Sequence, residues 1–480
     1  MFQTKLPLPA LLTATTILLA LAIPNAAVAG PNQDIDGDGY DDLLVGVPRS
    51  NDNNNANTGT AALYFGGGSG LNADEIFVPR VHGGERAGAS VAVGDFNCDG
   101  TPDLAMGAPL DHYNEDEAGL VFLYMSTSEG YVRTATTRSD YLGNPPEEEG
   151  DHFGRSIVAA DFDDDGCDDL AIGAPGASVV GTTDNTGLVY IARGGNGGLT
   201  AWQNVRPDVT GGQDARFGFS LAAGDMNDDG VDDLLIGAST WVIDNRTVGA
   251  AQVRSFDGNS FDPIIPIVTP CAPGSCDASD AWHWFGWSLA AGDFNGDGHA
   301  DLAVGWPGKN PQVYTGSVEI FETNGAGTVT NQRSVSVGSG QAQFGYSMDA
   351  GDVDSDGIDD LVVGAPFATV AGGPNLSGAA YVLTNGLAQY QTLSPTDYST
   401  PTADKQRFGS AVSFGNYLGG GFDLVVGAQR AKDQSGVRGG GAYVYENLGG
   451  TMSAMQKLGI EDFSGESAIA GALFGASLSH

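Results

Sequence analysis

The sequence predicts an all-β protein: a seven-bladed β-propeller with four-stranded blades, its ring closed by the C-terminal strand. Three observations lead there. An acidic loop returns at even spacing, each copy sits in the same sequence frame, and the chain is cut inside one repeat so that its two ends hold complementary pieces.

The loop first reads D-I-D-G-D-G-Y-D-D from Asp34 and returns from Asp95, Asp161, Asp225, Asp293 and Asp352. The period is roughly 60 to 68 residues, which is the scale of one repeated supersecondary unit. Upstream stands Phe-Gly-x-Ser and an apolar stretch, as in Phe153-Gly154-Arg155-Ser156 and Phe344-Gly345-Tyr346-Ser347. Downstream come Asp-Leu, an aliphatic pair and Gly-x-Pro, as in Asp169 to Pro175 and Asp360 to Pro366. A glycine then opens an apolar run, as in Gly187 to Ala192 and Gly378 to Leu383. Short runs rich in Val, Ile, Leu and Tyr between Gly, Pro and Asn are strands. Three strands per repeat are clear and a fourth is weaker.

A seventh unit keeps the frame with Phe408-Gly409 and Asp423 to Ala428, but its loop has shortened to N-Y-L-G-G-G-F-D. Leu418 and Gly420 stand where oxygen ligands belong, so this blade is expected to bind no ion. The first unit lacks a Phe-Gly strand, and Phe474-Gly475-Ala476-Ser477-Leu478 supplies one at the other end. Pairing that strand with the one starting near Asp42 removes two exposed sheet edges at once.

Each acidic loop places oxygen-bearing side chains at positions one, three, five and nine, a pattern suited to a hard cation that takes six to eight oxygens. The expected ligands, with position seven contributing its backbone carbonyl, are Asp34, Asp36, Asp38, Tyr40 and Asp42 in the first loop and Asp95, Asn97, Asp99, Thr101 and Asp103 in the second. The third offers Asp161, Asp163, Asp165, Cys167 and Asp169, and the fourth Asp225, Asn227, Asp229, Val231 and Asp233. The fifth has Asp293, Asn295, Asp297, His299 and Asp301, and the sixth Asp352, Asp354, Asp356, Ile358 and Asp360. About six structural calcium ions are expected from these loops. An EF-hand is excluded, since it requires Glu at position twelve, where Val45, Met106, Ile172, Ile236, Val304 and Val363 stand.

Together, F-G-x-S, D-x-D-x-D-G-x-x-D and D-L-x-x-G-A-P resemble the FG-GAP repeat of the integrin alpha propeller family. The resemblance covers essentially all of 30–480 and implies calcium in the loop between the first and second strands of a blade. Departures are Ala87 for Phe in blade two, Ser239 and Gln429 for Pro, and Trp306 for Ala in blade five. No inserted adhesion domain, stalk or membrane span is expected.

Residues 1–29 read as a secretory signal: Lys5, an apolar Ala10 to Ile23, and the small-x-small site Ala27-Val28-Ala29. A secreted, monomeric propeller over 30–480 follows, with no transmembrane segment in the mature chain. The net charge of −40 argues against nucleic acid as a partner, because phosphate binding needs clustered Lys and Arg. Among four cysteines, Cys271 and Cys276 are expected to form a disulfide, while Cys98 and Cys167 are read as two thiols, with a cross-loop bridge as the alternative.

No catalytic residues are expected. G-x-S recurs in most blades as part of the Phe-Gly strand, and the six histidines are scattered without metal-protease spacing. Five of six tryptophans fall between 241 and 306. Trp241, Trp282, Trp284 and Trp306 are expected on the face opposite the acidic loops, either as a ligand surface or as packing between blades. Trp287 is expected in the core. The function expected is an extracellular binding or adhesion module for a protein or glycan. A lectin-like propeller is the alternative, and an extracellular hydrolase a more distant one, since FG-GAP repeats also accompany phospholipase domains.

Overall fold

The computed structural model describes residues 34–48, 58–77, 86–111, 118–137, 150–178, 185–207, 214–243, 245–270, 284–309, 315–337, 343–370, 376–397, 406–432, 439–459, 462 and 476–478. The expected signal segment, Trp282, Cys271, Cys276 and the Phe474-Gly475 pair lie outside these residues.

Seven four-stranded antiparallel sheets form the blades. Blade three is representative, with strands Ser156–Ala160, Asp169–Ala174, Leu188–Arg193 and Thr200–Val205 in spatial sequence. The second strand of every blade is buried along its whole length, so its apolar run is continuous rather than alternating. The fourth strand is outermost and half-wet, as in Thr200–Val205 and Asn331–Val335, which is why its sequence signal is the weakest. A two-stranded hairpin, Val242–Ile243 with Arg246–Thr247, is added to blade four.

The core is divided among seven hydrophobic clusters, each lying between two adjacent blades. The Phe of each described Phe-Gly pair is driven into such an interface: Phe153, Phe217, Phe285, Phe344 and Phe408 are all fully buried. Edge-to-face contacts hold them, as between Phe153 and Tyr190 at 5.2 Å and Phe408 and Tyr443 at 5.2 Å. Ala87 fills the same place in blade two, bridging to Gly59 as Phe153 bridges to Gly119. A Cβ on Gly119 would lie 2.2 Å from the Phe153 carbonyl oxygen, so only glycine lets the blades come this close.

Polar bonds tie the blades at both ends. On the Phe-Gly side, the motif serine donates to the glycine carbonyl of the following blade. Ser90 Oγ reaches Gly154 at 2.9 Å, Ser156 reaches Gly218 at 2.9 Å, Ser220 reaches Gly286 at 3.0 Å and Ser288 reaches Gly345 at 2.9 Å. On the loop side, in blades one, three and six, an aspartate at position eight accepts an N–H from the preceding blade; blades two and five carry Pro102 and Ala300 there. Asp168 Oδ2 takes Asp95 N–H at 2.6 Å, and Asp359 Oδ2 takes Asp293 N–H at 2.8 Å.

Closure follows the same rules. Ser477–Leu478 pairs with Leu43–Val47, completing the sheet of blade one. Ser477 Oγ donates to Gly88 at 3.1 Å, and Asp41 Oδ2 accepts Asn416 N–H at 2.7 Å. Among the described residues, no helix is long and apolar enough to cross a membrane.

Candidate metal centres

Each acidic loop leads into the second strand of its blade, joining it to the first in blades two to six, and its own backbone organises the carboxylates. Position one accepts the N–H groups of the turn: Asp34 takes Gly37 at 2.7 Å, Asp38 at 2.9 Å and Gly39 at 2.8 Å. The position-six glycine repeats this bond in every loop, from Gly100 at 2.8 Å to Gly357 at 3.0 Å. Its φ, +94° at Gly39 and +83° at Gly357, is a left-handed value that explains the residue type. Position five accepts the N–H of position seven, so Tyr40, Thr101, Cys167, Val231, His299 and Ile358 are held through backbone whatever their side chains.

Position nine opens the second strand and is buried in all six loops: Asp42, Asp103, Asp169, Asp233, Asp301 and Asp360. One oxygen accepts the position-two N–H, as from Met226 to Asp233 at 2.9 Å. Except in Asp360, an oxygen of this carboxylate also pins the end of the third strand, as from Gly194 to Asp169 at 2.8 Å and from Thr323 to Asp301 at 2.9 Å.

The loops thus bring the expected side chains together. Asp34, Asp36 and Asp42 offer carboxylate oxygens within 4.8 Å of one another, as do Asp161, Asp163 and Asp169, and Asp352, Asp354 and Asp356. The loops with asparagine at position three differ. Asn97, Asn227 and Asn295 direct their amide groups at the position-nine carboxylates, at 3.4, 3.2 and 3.1 Å.

The donor set fits a cation. Asp103 Oδ2, Asp163 Oδ1, Asp354 Oδ1 and Asp360 Oδ1 are buried oxygens without a hydrogen-bond partner. Burial pushes the position-nine carboxyls up, Asp42 to about 7 and Asp169 and Asp360 to about 8. Such a cluster of desolvated negative charge is costly alone and would be offset by a positive ion. In blade three a fixed cation already leans in: Arg193 approaches Asp163 at 2.5 Å and Asp165 at 3.0 Å.

Blade seven keeps the scaffold without the cluster. Asp423 accepts Leu418 N–H at 2.7 Å and Asn447 N–H at 3.0 Å, repeating both position-nine bonds. Tyr417 is buried beneath the loop, its hydroxyl 2.6 Å from Ser413 Oγ.

Three sequence expectations are corrected. Cys98 and Cys167 form a disulfide, with Cα atoms 5.0 Å apart, rather than two thiols. Position four of loop two meets position seven of loop three because neighbouring blades stack their loops side by side. Trp241 and Trp306, at 4% and 5% exposure, cannot present ring faces to a ligand. Trp241 packs with Phe217 and Ala215 between blades three and four, and Trp306 stands edge-to-face on Phe285 at 5.9 Å. Trp284 is half-buried and lies 5.5 Å from Trp287. Trp287, expected in the core, lines the central channel instead.

Seven four-stranded blades around a channel, with six acidic loops on one face, define a β-propeller with acidic-loop blades. The chain is an FG-GAP repeat protein, its repeats matched at residues 34–64, 87–124, 153–191, 217–253, 285–330 and 344–383. It is 31% identical over 240 residues to integrin alpha pat-2 of Caenorhabditis briggsae, covering 45% of this chain and 18% of that protein. It is 28% identical over 393 residues to phosphatidylinositol-glycan-specific phospholipase D of Bos taurus, covering 74% of this chain and 44% of that protein. Integrin alpha-7 of Rattus norvegicus is 37% identical over 160 residues, or 32% of this chain and 13% of that one. The chain therefore spans less than half the length of each of these relatives.

Proposed function

We propose that this chain is a secreted, calcium-stabilised propeller that acts as a monomeric extracellular binding module rather than as an enzyme. The observation that carries the reading is a backbone-organised acidic turn that recurs in six loops, with carboxylate oxygens converging in three of them. Calcium is the matching ion, because flexible all-oxygen sites built from carboxylates, amide and backbone carbonyls suit its coordination number and radius. The side chains at positions one, three, five and nine would hold it, with the carbonyl at position seven. The ion would supply charge compensation and loop rigidity.

A binding role is supported by the similarity to integrin alpha propellers, and a non-catalytic one by the fate of the motif serines. Their hydroxyls are committed to carbonyls of the next blade, as Ser156 is to Gly218, which leaves no activated nucleophile in that motif. The test is metal content together with melting. Purified chain should retain about six calcium ions by elemental analysis and melt lower after chelation. A metal-free chain with the same melting curve in chelator and in calcium would refute the calcium reading.

A further inference from the structure

The innermost strands leave an axial cavity of about 720 Å³ that opens among the Phe-Gly-x-Ser turns, on the face opposite the acidic loops. Its floor is apolar, one side chain from each blade, from Val91 to Leu478. Its wall is set by the x of Phe-Gly-x-Ser, and there the ring is lopsided. Phe219, Trp287 and Tyr346 make a continuous aromatic arc, with ring centroids 4.8 and 5.3 Å apart. Ala89, Ser410 and Ala476 face them across the cavity, leaving the opposite side open.

The charge is as unusual as the shape. The whole chain has only 20 basic residues against 60 acidic ones, yet Arg86, Arg155 and Arg216 all line this one cavity. Arg155 stacks its guanidinium over Phe219, 4.5 Å from the ring centroid. Among the described residues, neither Arg155 nor Arg216 is paired with a carboxylate. The rim carboxylate Asp214 bonds instead to Asn185 at 3.1 Å. Burial, then the charges of Arg216 and Arg86, pull the Arg155 guanidinium below its usual range, against an opposite pull from Tyr346. A half-buried guanidinium without a carboxylate, lining a cavity open to solvent, is placed to take an anion from outside.

We infer that this channel mouth is a binding site for an acidic saccharide, whose ring lies on the Phe219–Trp287–Tyr346 arc while its carboxylate meets Arg155 and Arg216. The inference rests on the reading of the chain as a binding module and names its ligand class. The juxtaposition of guanidinium and ring decides that class. Arg155 touches the edge of the aromatic arc, so the ligand's charge must be carried directly beside a flat apolar face. A uronate provides this, with its carboxylate on the pyranose ring and C–H groups on the ring face. An acidic peptide holds its carboxylates on flexible stems away from any ring.

The test is calorimetry and tryptophan fluorescence on the full calcium-loaded chain, with trigalacturonate, its methyl ester and hexaglutamate as probes. Trigalacturonate should bind and perturb tryptophan emission, and both the ester and Arg155→Gln should weaken binding by about tenfold or more, the scale of a charge-assisted pair. If Arg155→Gln fails to fold, Arg216→Gln at the exposed rim should weaken it severalfold. The inference is overturned by no binding at millimolar trigalacturonate, by equal binding of the ester, by preference for hexaglutamate, or by unchanged affinity in a folded arginine variant. Calcium content and melting measured on the same sample keep the two readings apart. A calcium-loaded chain that ignores the saccharide overturns the pocket alone.

Discussion

Blades six and seven stand side by side and carry one loop in two chemical versions. In blade six, Asp352, Asp354 and Asp356 converge, and Asp360 Oδ1 is buried without a partner. In blade seven only the last carboxylate survives, yet Asp423 makes both of its backbone bonds and the strands keep their pairing. The difference separates two jobs that the motif merges. Position nine pins the loop and the third strand and belongs to the fold. Positions one, three and five can be lost from a blade without losing the blade, so they are the positions left to serve an ion.

The largest effect expected on this comparison is its removal. Chelation should make six blades resemble the seventh and lower the melting temperature by roughly 10 °C or more, since several ligand-linked sites unload together. Scanning calorimetry in chelator and in millimolar calcium measures this. Next, Asp360→Ala should lose one ion and also strand a buried N–H, whereas Asp423→Ala should cost about 1–3 kcal/mol for stranded N–H groups and leave metal content unchanged. Denaturant melts paired with elemental analysis distinguish them, and equal metal loss in both variants would erase the distinction.

A finer test is Asp356→Ala, whose one described side-chain bond, from the Ile358 N–H at 2.9 Å, matters little to the fold. It should lower calcium stoichiometry by one, yet in chelator it should melt with the unsubstituted chain. The smallest effect expected is at the other end of the blade. Ser347 Oγ donates to Gly409 at 3.2 Å, while blade seven has Ala411 at the matching place. Ser347→Ala should therefore cost about 0.5–1.5 kcal/mol, measured by chemical denaturation, with no change in metal content.

The strand frame and the ring closure were legible because they repeat, and repetition turns weak local signals into a pattern. The loop carboxylates were legible because their spacing is a property of one short segment. What stayed hidden depends on how blades stack. The Cys98–Cys167 bridge joins residues 69 apart that become neighbours only when two loops lie side by side. The position-eight aspartates were overlooked for a related reason: Asp168 and Asp359 bond to another loop, so counting oxygens within their own loop gives them no task. Loop class placed Trp241 and Trp306 correctly along the chain but said nothing of their turning inward, where large apolar rings gain most by leaving water. The arc of Phe219, Trp287 and Tyr346 sits at the one variable letter of Phe-Gly-x-Ser, where a search for sameness does not look.

The junctions between blades have a further consequence. Each described motif serine offers a hydroxyl to the glycine carbonyl of its successor, while in blades one, three and six a loop aspartate reaches back the other way. Such units behave as tiles with a matched edge on each side. A duplicated copy arrives with both edges already complementary to its neighbours, so an array of them can lengthen without inventing a new interface. What fixes the number at seven is then geometric: the angle subtended by each tile, and the single place where the last two residues of sheet, Ser477 and Leu478, must find Val45 and Gly46.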